Sequence, residues 1–317
     1  MVDRAMKTFN GWTGLCPQDR GASAAIGNFD GVHLGHQHVI DIARAKAEET
    51  QAPLGIVTFA PHPREYFAPK APAFRLMNSE ARANRLEKLG VDRLYQLPFN
   101  DVVASLTPEQ FAGDVLADGL GLSHLAVGAD FHFGKDRAGT ASDLKSLGER
   151  FGFDVTIAEL IENDLGEVSS TAIRTALGEG RPRNAAEMLG HWHRIEGEVF
   201  DGDKRGRELG FPTANMSIEG LHPPRFGIYA VKVDVLTGPF QGEYIGASSI
   251  GVRPTFGENV PILETYIFDF AGDLYGEHLS VAFVEYLRPE AKFDGIDSLI
   301  DQMNHDCQQA REILSKL

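Results

Sequence analysis

Cysteine is scarce in this 317-residue chain: only Cys16 and Cys307 occur, near opposite ends. That leaves no disulfide framework and no cysteine metal cluster. No apolar run reaches the roughly 20 residues of a membrane-spanning helix. The first residues lack the basic-then-apolar order of a secretory signal. Both absences lead to the expectation of a cytoplasmic protein with no membrane partner. Basic residues are outnumbered, 30 Lys and Arg against 45 Asp and Glu, a formal charge of −15. Binding a nucleic-acid backbone needs a basic surface, so a nucleic-acid partner is excluded. Small anionic ligands remain open, with local help from helix N-termini, placed arginines and Mg2+. Internal repeats, low-complexity segments, a GxxxxGK[ST] loop and an HExxH pair are all missing. Nothing points to an oligomer, so a monomer is the default expectation.

The length is comfortable for two cores, and the chain has two rhythms. From about residue 21 to 186, short apolar runs at 54–59, 94–97, 125–127 and 153–157 alternate with helical patterns at 79–89, 108–118 and 141–151. This alternation predicts a doubly wound, mostly parallel, Rossmann-like α/β domain over 1–185. After about residue 190, strand-like runs follow one another at 195–200, 228–235, 244–250, 263–270 and 279–287. They predict a compact β-barrel or sandwich over 186–317. A final amphipathic helix, with apolar Ile296, Leu299, Ile300, Met303, Ala310, Ile313 and Leu314, is expected to cover it.

The most informative stretch is Gly27-Asn28-Phe29-Asp30-Gly31-Val32-His33-Leu34-Gly35-His36. It follows the apolar run Ala24-Ala25-Ile26 and opens onto a helical pattern. A glycine-rich strand-to-helix turn places backbone N–H groups and a helix dipole at an anion-sized gap. His33 and His36 are three apart, so they are expected to share a face of the first turn. Such donors suit a nucleotide's phosphates, whose charge rises as a P–O bond is transferred. A strand–turn–helix junction with two surface histidines is the plainer alternative. Ligands of open α/β sheets bind beyond the strands' carboxyl ends. Three more polar clusters stand at such places: Pro61-His62-Pro63-Arg64, Gly128 to Lys135 with Asp130, and Ser169-Ser170-Thr171 followed by Arg174. Each could be a simple strand stop, tight turn or N-cap. Together they favour a nucleotide site.

In the second half, Gly202 to Asn215 is glycine-rich and follows a strand. Thr213 and Asn215 are hard-oxygen donors two residues apart on one face of an extended segment, a pattern that suits Mg2+. The alternative is a flexible hairpin with a charged tip. Glu264 alternates with Ile262, Tyr266 and Phe268, which puts a carboxylate on an apolar face. That is costly unless the group is paired, with Arg253 for example, or used as a general base.

These segments resemble a known family. Gly27 to His36 is similar to the G-x-F-D-G-x-H-x-G-H signature of the nucleotidyltransferase superfamily. GNFDGVHLGHQ, TFAPHPREYF, VGADFHFGKDRAG and VSSTAIR most resemble the adenylyltransferase module of bacterial bifunctional riboflavin kinase/FAD synthetases. GRELGFPTANM, FGIYAVKV, IGVRPTFG and LETYIFDFAGDLYG are similar to its riboflavin kinase module, a small β-barrel closed by a C-terminal helix. The resemblance covers nearly the whole chain from about residue 21, with the motifs in order. It implies that riboflavin and ATP give FMN, and that FMN and a second ATP give FAD and pyrophosphate. For the second reaction it implies that Asn28, Phe29, Asp30, Gly31 and Gly35 line ATP. His33 and His36 would steady its phosphates, Ser170, Thr171 and Arg174 contact them, and Asp130 positions the ligands. Many members carry a basic residue where this chain has Ala172. For the kinase it implies that Gly206, Arg207, Gly210, Phe211, Pro212 and Arg253 bind ATP or flavin, and that Thr213 and Asn215 hold Mg2+–ATP. Glu264 would take the proton from the riboflavin 5′-hydroxyl.

Overall fold

The structure is a computed structural model that describes residues 5–159, 161–163, 166–202, 209–252 and 261–317. Its backbone gathers into two compact units. One joins Met1–Pro72 to Arg82–Val168, the other joins Ala73–Ala81 to Ser169–Leu317.

The first unit is built on a parallel sheet of β1 (Lys7–Asn10), β2 (Ser23–Ile26), β3 (Leu54–Ala60), β4 (Arg93–Pro98), β5 (His124–Gly128) and β8 (Asp154–Ala158), in the order β1-β4-β3-β2-β5-β8. Short strands β6 (His132–Phe133) and β7 (Gly139–Thr140) pair between β5 and β8, and β9 (Glu162–Asn163) pairs with β10 (Gly166–Glu167) after them. Alternation within β2 sorts its neighbours. Ser23 faces α1 (Leu34–Thr50), where its hydroxyl donates to the Ala43 carbonyl at 2.7 Å. Ala24 and Ile26 join Val57, Phe59, Tyr95 and Leu125 in the core on the other face, with Phe111, Val115, Ala141 and Leu144. The sheet is therefore covered on both faces, as its near-continuous apolar strands require. Strand order reverses between β2 and β5, which makes their carboxyl ends the switch-point crevice of the fold.

The smaller helices are α2 (Pro63–Phe67), α3 (Ser79–Lys88), α4 (Asp101–Ser105), α5 (Pro108–Gln110) and α6 (Ala141–Phe151). Two features escaped the sequence pattern. Strand β1 has almost no buried side chain and exists through its pairing with β4. The helix expected over 108–118 begins as α5 with a Thr107–Gln110 capping box and continues as a π-helical run, Phe111–Ala117.

The second unit opens with α7 (Ser170–Gly178) and α8 (Pro182–Leu189), whose apolar faces bury Ile173, Ala176, Leu177, Ala185, Met188 and Leu189. Six antiparallel strands follow: β11 (Arg194–Glu198), β12 (Thr213–Ser217), β13 (Gly227–Val235), β14 (Gly242–Val252), β15 (Pro261–Ile267) and β16 (His278–Arg288). Their order is β11-β16-β13-β14-β15-β12, and a Phe200–Asn215 bridge nearly closes the barrel. Met216, Val231, Val233, Leu263, Val281 and Phe283 fill the interior. On the outer wall Ala230, Ala247, Tyr266, Phe268 and Val284 pack against Ala310, Ile313 and Leu314 of α9 (Ile296–Leu314). The Arg288 guanidinium grips Asp306 of α9 with bonds of 2.7 to 3.1 Å, and Gln302 donates to the same carboxylate.

Candidate active sites

In the first unit, the Gly27–His36 loop leaves β2 in a conformation held by unusual backbone angles. Phe29 (φ 52°) and Val32 (φ 45°) are left-handed, a costly state for bulky or β-branched residues. His33 is the N-cap of α1 rather than a member of its first turn, and its Nδ1 accepts the His36 N–H at 3.3 Å. Glycine at 35 is what lets the imidazole fold back, since a Cβ there would stand 3.1 Å from that Nδ1. The His33 and His36 rings stack with centroids 3.7 Å apart, and Phe29 packs on His36 at 5.1 Å. The Nδ1 of His36 is buried with no partner among the described residues. Burial, and then the His33 charge, hold its pKa well below the ordinary histidine value. At neutral pH His36 is therefore a neutral hydrogen-bonding imidazole, not a cation.

Asp30 is buried in the loop, whereas Asp130 is exposed just beyond β5, its carbonyl 2.8 Å from His132 Nδ1. Because β2 and β5 are neighbours, the structure brings the histidine loop and Asp130 to adjacent strand ends at the switch point. His62 serves locally as the N-cap of α2, in a reciprocal box with Glu65. Beside it the ends of β3 and β4 carry an aromatic edge of Tyr66, Phe67 and Phe99, with centroids 5.0 to 5.7 Å apart. Phe67 is 69% exposed and Val102 58%.

In the second unit, Ser169 caps α7 by accepting the Ala172 N–H at 3.2 Å. Ser170 is half-buried and Thr171 exposed in its first turn. The Arg174 guanidinium stacks over the Phe74 ring, 5.3 Å from its centroid, and Nε donates to the Phe74 carbonyl. On the barrel, cross-strand register sets Asn215 and Ser249 on either side of Glu264, and Thr213 opposite Tyr266. Thr213, Asn215 and Glu264 therefore share the outer wall, beside the part covered by α9. This corrects the apolar setting expected for Glu264: along β15 its neighbours are apolar, but across the sheet they are an amide and a hydroxyl. Asn215 is buried beneath Gly202, where a Cβ would come within 2.4 Å of its Nδ2, and that amide donates to the Thr213 carbonyl at 3.4 Å. Phe211 is buried edge-on against Tyr266 at 5.3 Å, while Gly210 and Pro212 are exposed. Gly206, Arg207 and Arg253 lie outside the described residues.

The FAD synthetase family matches residues 16–172 and the riboflavin kinase family residues 189–314. A bifunctional riboflavin kinase/FMN adenylyltransferase of Pseudomonas fluorescens is 41% identical, over 97% of this chain and 98% of that protein. The one of Bacillus subtilis is 39% identical, over 92% of each. The chain belongs to the bifunctional riboflavin kinase/FMN adenylyltransferase family. A solved structure described as a macrolide-efflux protein of Streptococcus pneumoniae has the same fold, with a TM-score of 0.83, 31% identity, and coverage of 97% of this chain and 99% of that one. Among the described residues no helix is long and apolar enough to cross a membrane.

Arg82 and Phe99 had no place in the motif reading, and Tyr66 and Phe67 entered it only as the end of TFAPHPREYF, with no role of their own. Arg82 sits in an ordinary helical pattern, and Phe67 and Phe99 lie 32 residues apart in sequence. Only the adjacency of β3 and β4 joins them.

Proposed function

We propose how this bifunctional enzyme divides its two reactions, the phosphorylation of riboflavin to FMN and the adenylylation of FMN to FAD. The observation that carries the division is that the histidine loop and Asp130 belong to one compact unit and Thr213, Asn215 and Glu264 to the other, each unit with its own core. In the first unit the FMN phosphate attacks the α-phosphate of ATP and pyrophosphate leaves. That phosphate is already ionised at neutral pH, so positioning and charge stabilisation suffice and no protein base is needed. The Asn28–Gly31 loop, Gly35, His33 and His36 hold the ATP phosphates at the start of α1, and Asp130 positions the ligands. Ser170, Thr171 and Arg174 are kept as further ATP contacts. The exposed ring of Phe67 is a flat apolar surface suited to a flavin ring.

In the kinase unit Glu264 takes the proton of the riboflavin 5′-hydroxyl as that oxygen bonds to the γ-phosphorus and ADP leaves. Gly210, Phe211 and Pro212 are assigned to the ATP or flavin site, as are Gly206, Arg207 and Arg253. The donor set fits Mg2+: the Thr213 hydroxyl, the Asn215 carbonyl oxygen and a carboxylate across the strand are hard oxygens. The bond from Asn215 Nδ2 to the Thr213 carbonyl uses the donor side of the amide and leaves its oxygen as the atom that would meet a cation. When bound, Mg2+ would neutralise phosphate charge. Domains at 1–185 and 186–317, a cytoplasmic monomer and the absence of nucleic-acid partners complete the reading. It is tested by separating the flavins formed from riboflavin, ATP and Mg2+, and from FMN, ATP and Mg2+, each with and without a chelator. FMN and FAD should both form and both should fail with the chelator. Failure to make FAD from supplied FMN by a folded chain altered only at Glu264, and so unable to phosphorylate riboflavin, would sink the two-site division.

A further inference from the structure

Arg82 of α3 is 5% exposed, and its guanidinium reaches the ends of three strands. Nη1 donates to the Asn28 carbonyl at 3.1 Å and to Thr58 Oγ1 at 3.2 Å, and Nη2 reaches Gln96 Oε1 at 3.4 Å. The Thr58 hydroxyl, on the fully buried Thr58, donates to the same Asn28 carbonyl at 3.3 Å. That carbonyl opens the Gly27–His36 loop, immediately before the left-handed Phe29. Two donors on one carbonyl are more than an ordinary turn uses.

The Asn28–Phe29 peptide is trans, so its C=O and N–H point in opposite directions. Arg82 and Thr58 draw the C=O toward the β3 and β4 side of β2. The Phe29 N–H is thereby aimed away from β3 and β4, toward the β5 side of β2. Phe29 is 1% exposed, and its N–H has no partner among the described residues. A buried, unpaired backbone donor is uncommon and calls for an acceptor.

We propose that Arg82 is a positioning residue for adenylyl transfer: with Thr58 it locks the Asn28–Phe29 peptide so that the Phe29 N–H donates to a phosphate oxygen of ATP. Arg82 does not touch the substrate. Its charged donor holds a strained loop in the conformation that presents a backbone donor. The inference rests on assigning this loop to adenylyl transfer, which His36→Ala tests separately: FAD formation that survives His36→Ala removes that assignment.

The test compares Arg82→Met, Arg82→Lys and Thr58→Val in the full chain, measuring kcat and KM for FAD formation from FMN and for FMN formation from riboflavin. Removing one preorganised donor costs roughly 10²–10³ in rate, and misaiming one costs less. Arg82→Met should lower the FAD-forming kcat by about 10- to 100-fold, with KM for FMN and the kinase rate within about threefold of the parent. Arg82→Lys, which keeps a charged donor, should recover most of that loss. Thr58→Val, which removes the neutral donor to the same carbonyl, should lose several-fold in kcat and stands in if Arg82→Met does not fold. The proposal falls if Arg82→Met or Thr58→Val keeps the parent kcat. It also falls if Arg82→Lys is as damaged as Arg82→Met, or if both activities decline together.

Discussion

Acid should weaken the kinase unit through one residue, His193. It is 3% exposed just before β11, with its ring 5.8 Å from that of Phe283 and its Nε2 without a partner among the described residues. Burial, followed by the charges of His191 and His222, pulls its pKa down to about 3. In the unfolded chain the same imidazole titrates near 6.5. Below that pH the unfolded chain binds a proton that the native state refuses. The contribution is therefore fully favourable above pH 6.5 and is lost as pH falls toward about 3. At about 1.36 kcal/mol per pK unit, the loss is about 2 kcal/mol between pH 7.5 and 5.0 and about 4–5 kcal/mol at completion. The assay is urea unfolding at both pH values. A Trp12→Phe background leaves Trp192, next to His193, as the only tryptophan. With a denaturant slope of about 2 kcal/mol per molar, the midpoint should drop about 1 M further with His193 present than in His193→Leu. Other titrating groups act on both proteins alike, so the difference isolates this imidazole. Equal drops in the two proteins would refute the reasoning.

Three further outcomes follow from the sites. His36→Ala should lower FAD formation by roughly 10²–10³ while FMN accumulates, read by flavin chromatography; unchanged FAD output would return both histidines to a structural role. A folded Glu264→Gln protein should make FMN from riboflavin roughly 10²–10⁴ more slowly yet still convert supplied FMN to FAD, and near-normal kinase rates would end its assignment as base. A fragment of residues 186–317 should phosphorylate riboflavin and make no FAD. Restoring α7 and α8, as in residues 169–317, should raise its melting temperature, because their buried faces belong to this unit; an inactive fragment beside an active full chain would count against independent units.

The alternating apolar runs and helical patterns were enough to derive a doubly wound sheet followed by a β-rich half, because burial on both faces or on one leaves a local periodicity. The strand ends and their glycine-rich turns were legible for the same reason, and they marked His33, His36, Asp130, Thr213 and Asn215 before any coordinates. Strand β1 left no such mark: its side chains are mostly exposed and its partner β4 lies more than 80 residues away. Glu264 looked stranded because alternation reveals neighbours along a strand, and only register supplies Asn215 and Ser249 across it. Arg82 and the Tyr66–Phe67–Phe99 edge are likewise products of strand order, with contacts that span 54 and 32 residues of sequence. Periodicity is a local property written in the chain. Which strand lies beside which, and hence which donors converge on one carbonyl, is decided when distant segments pack.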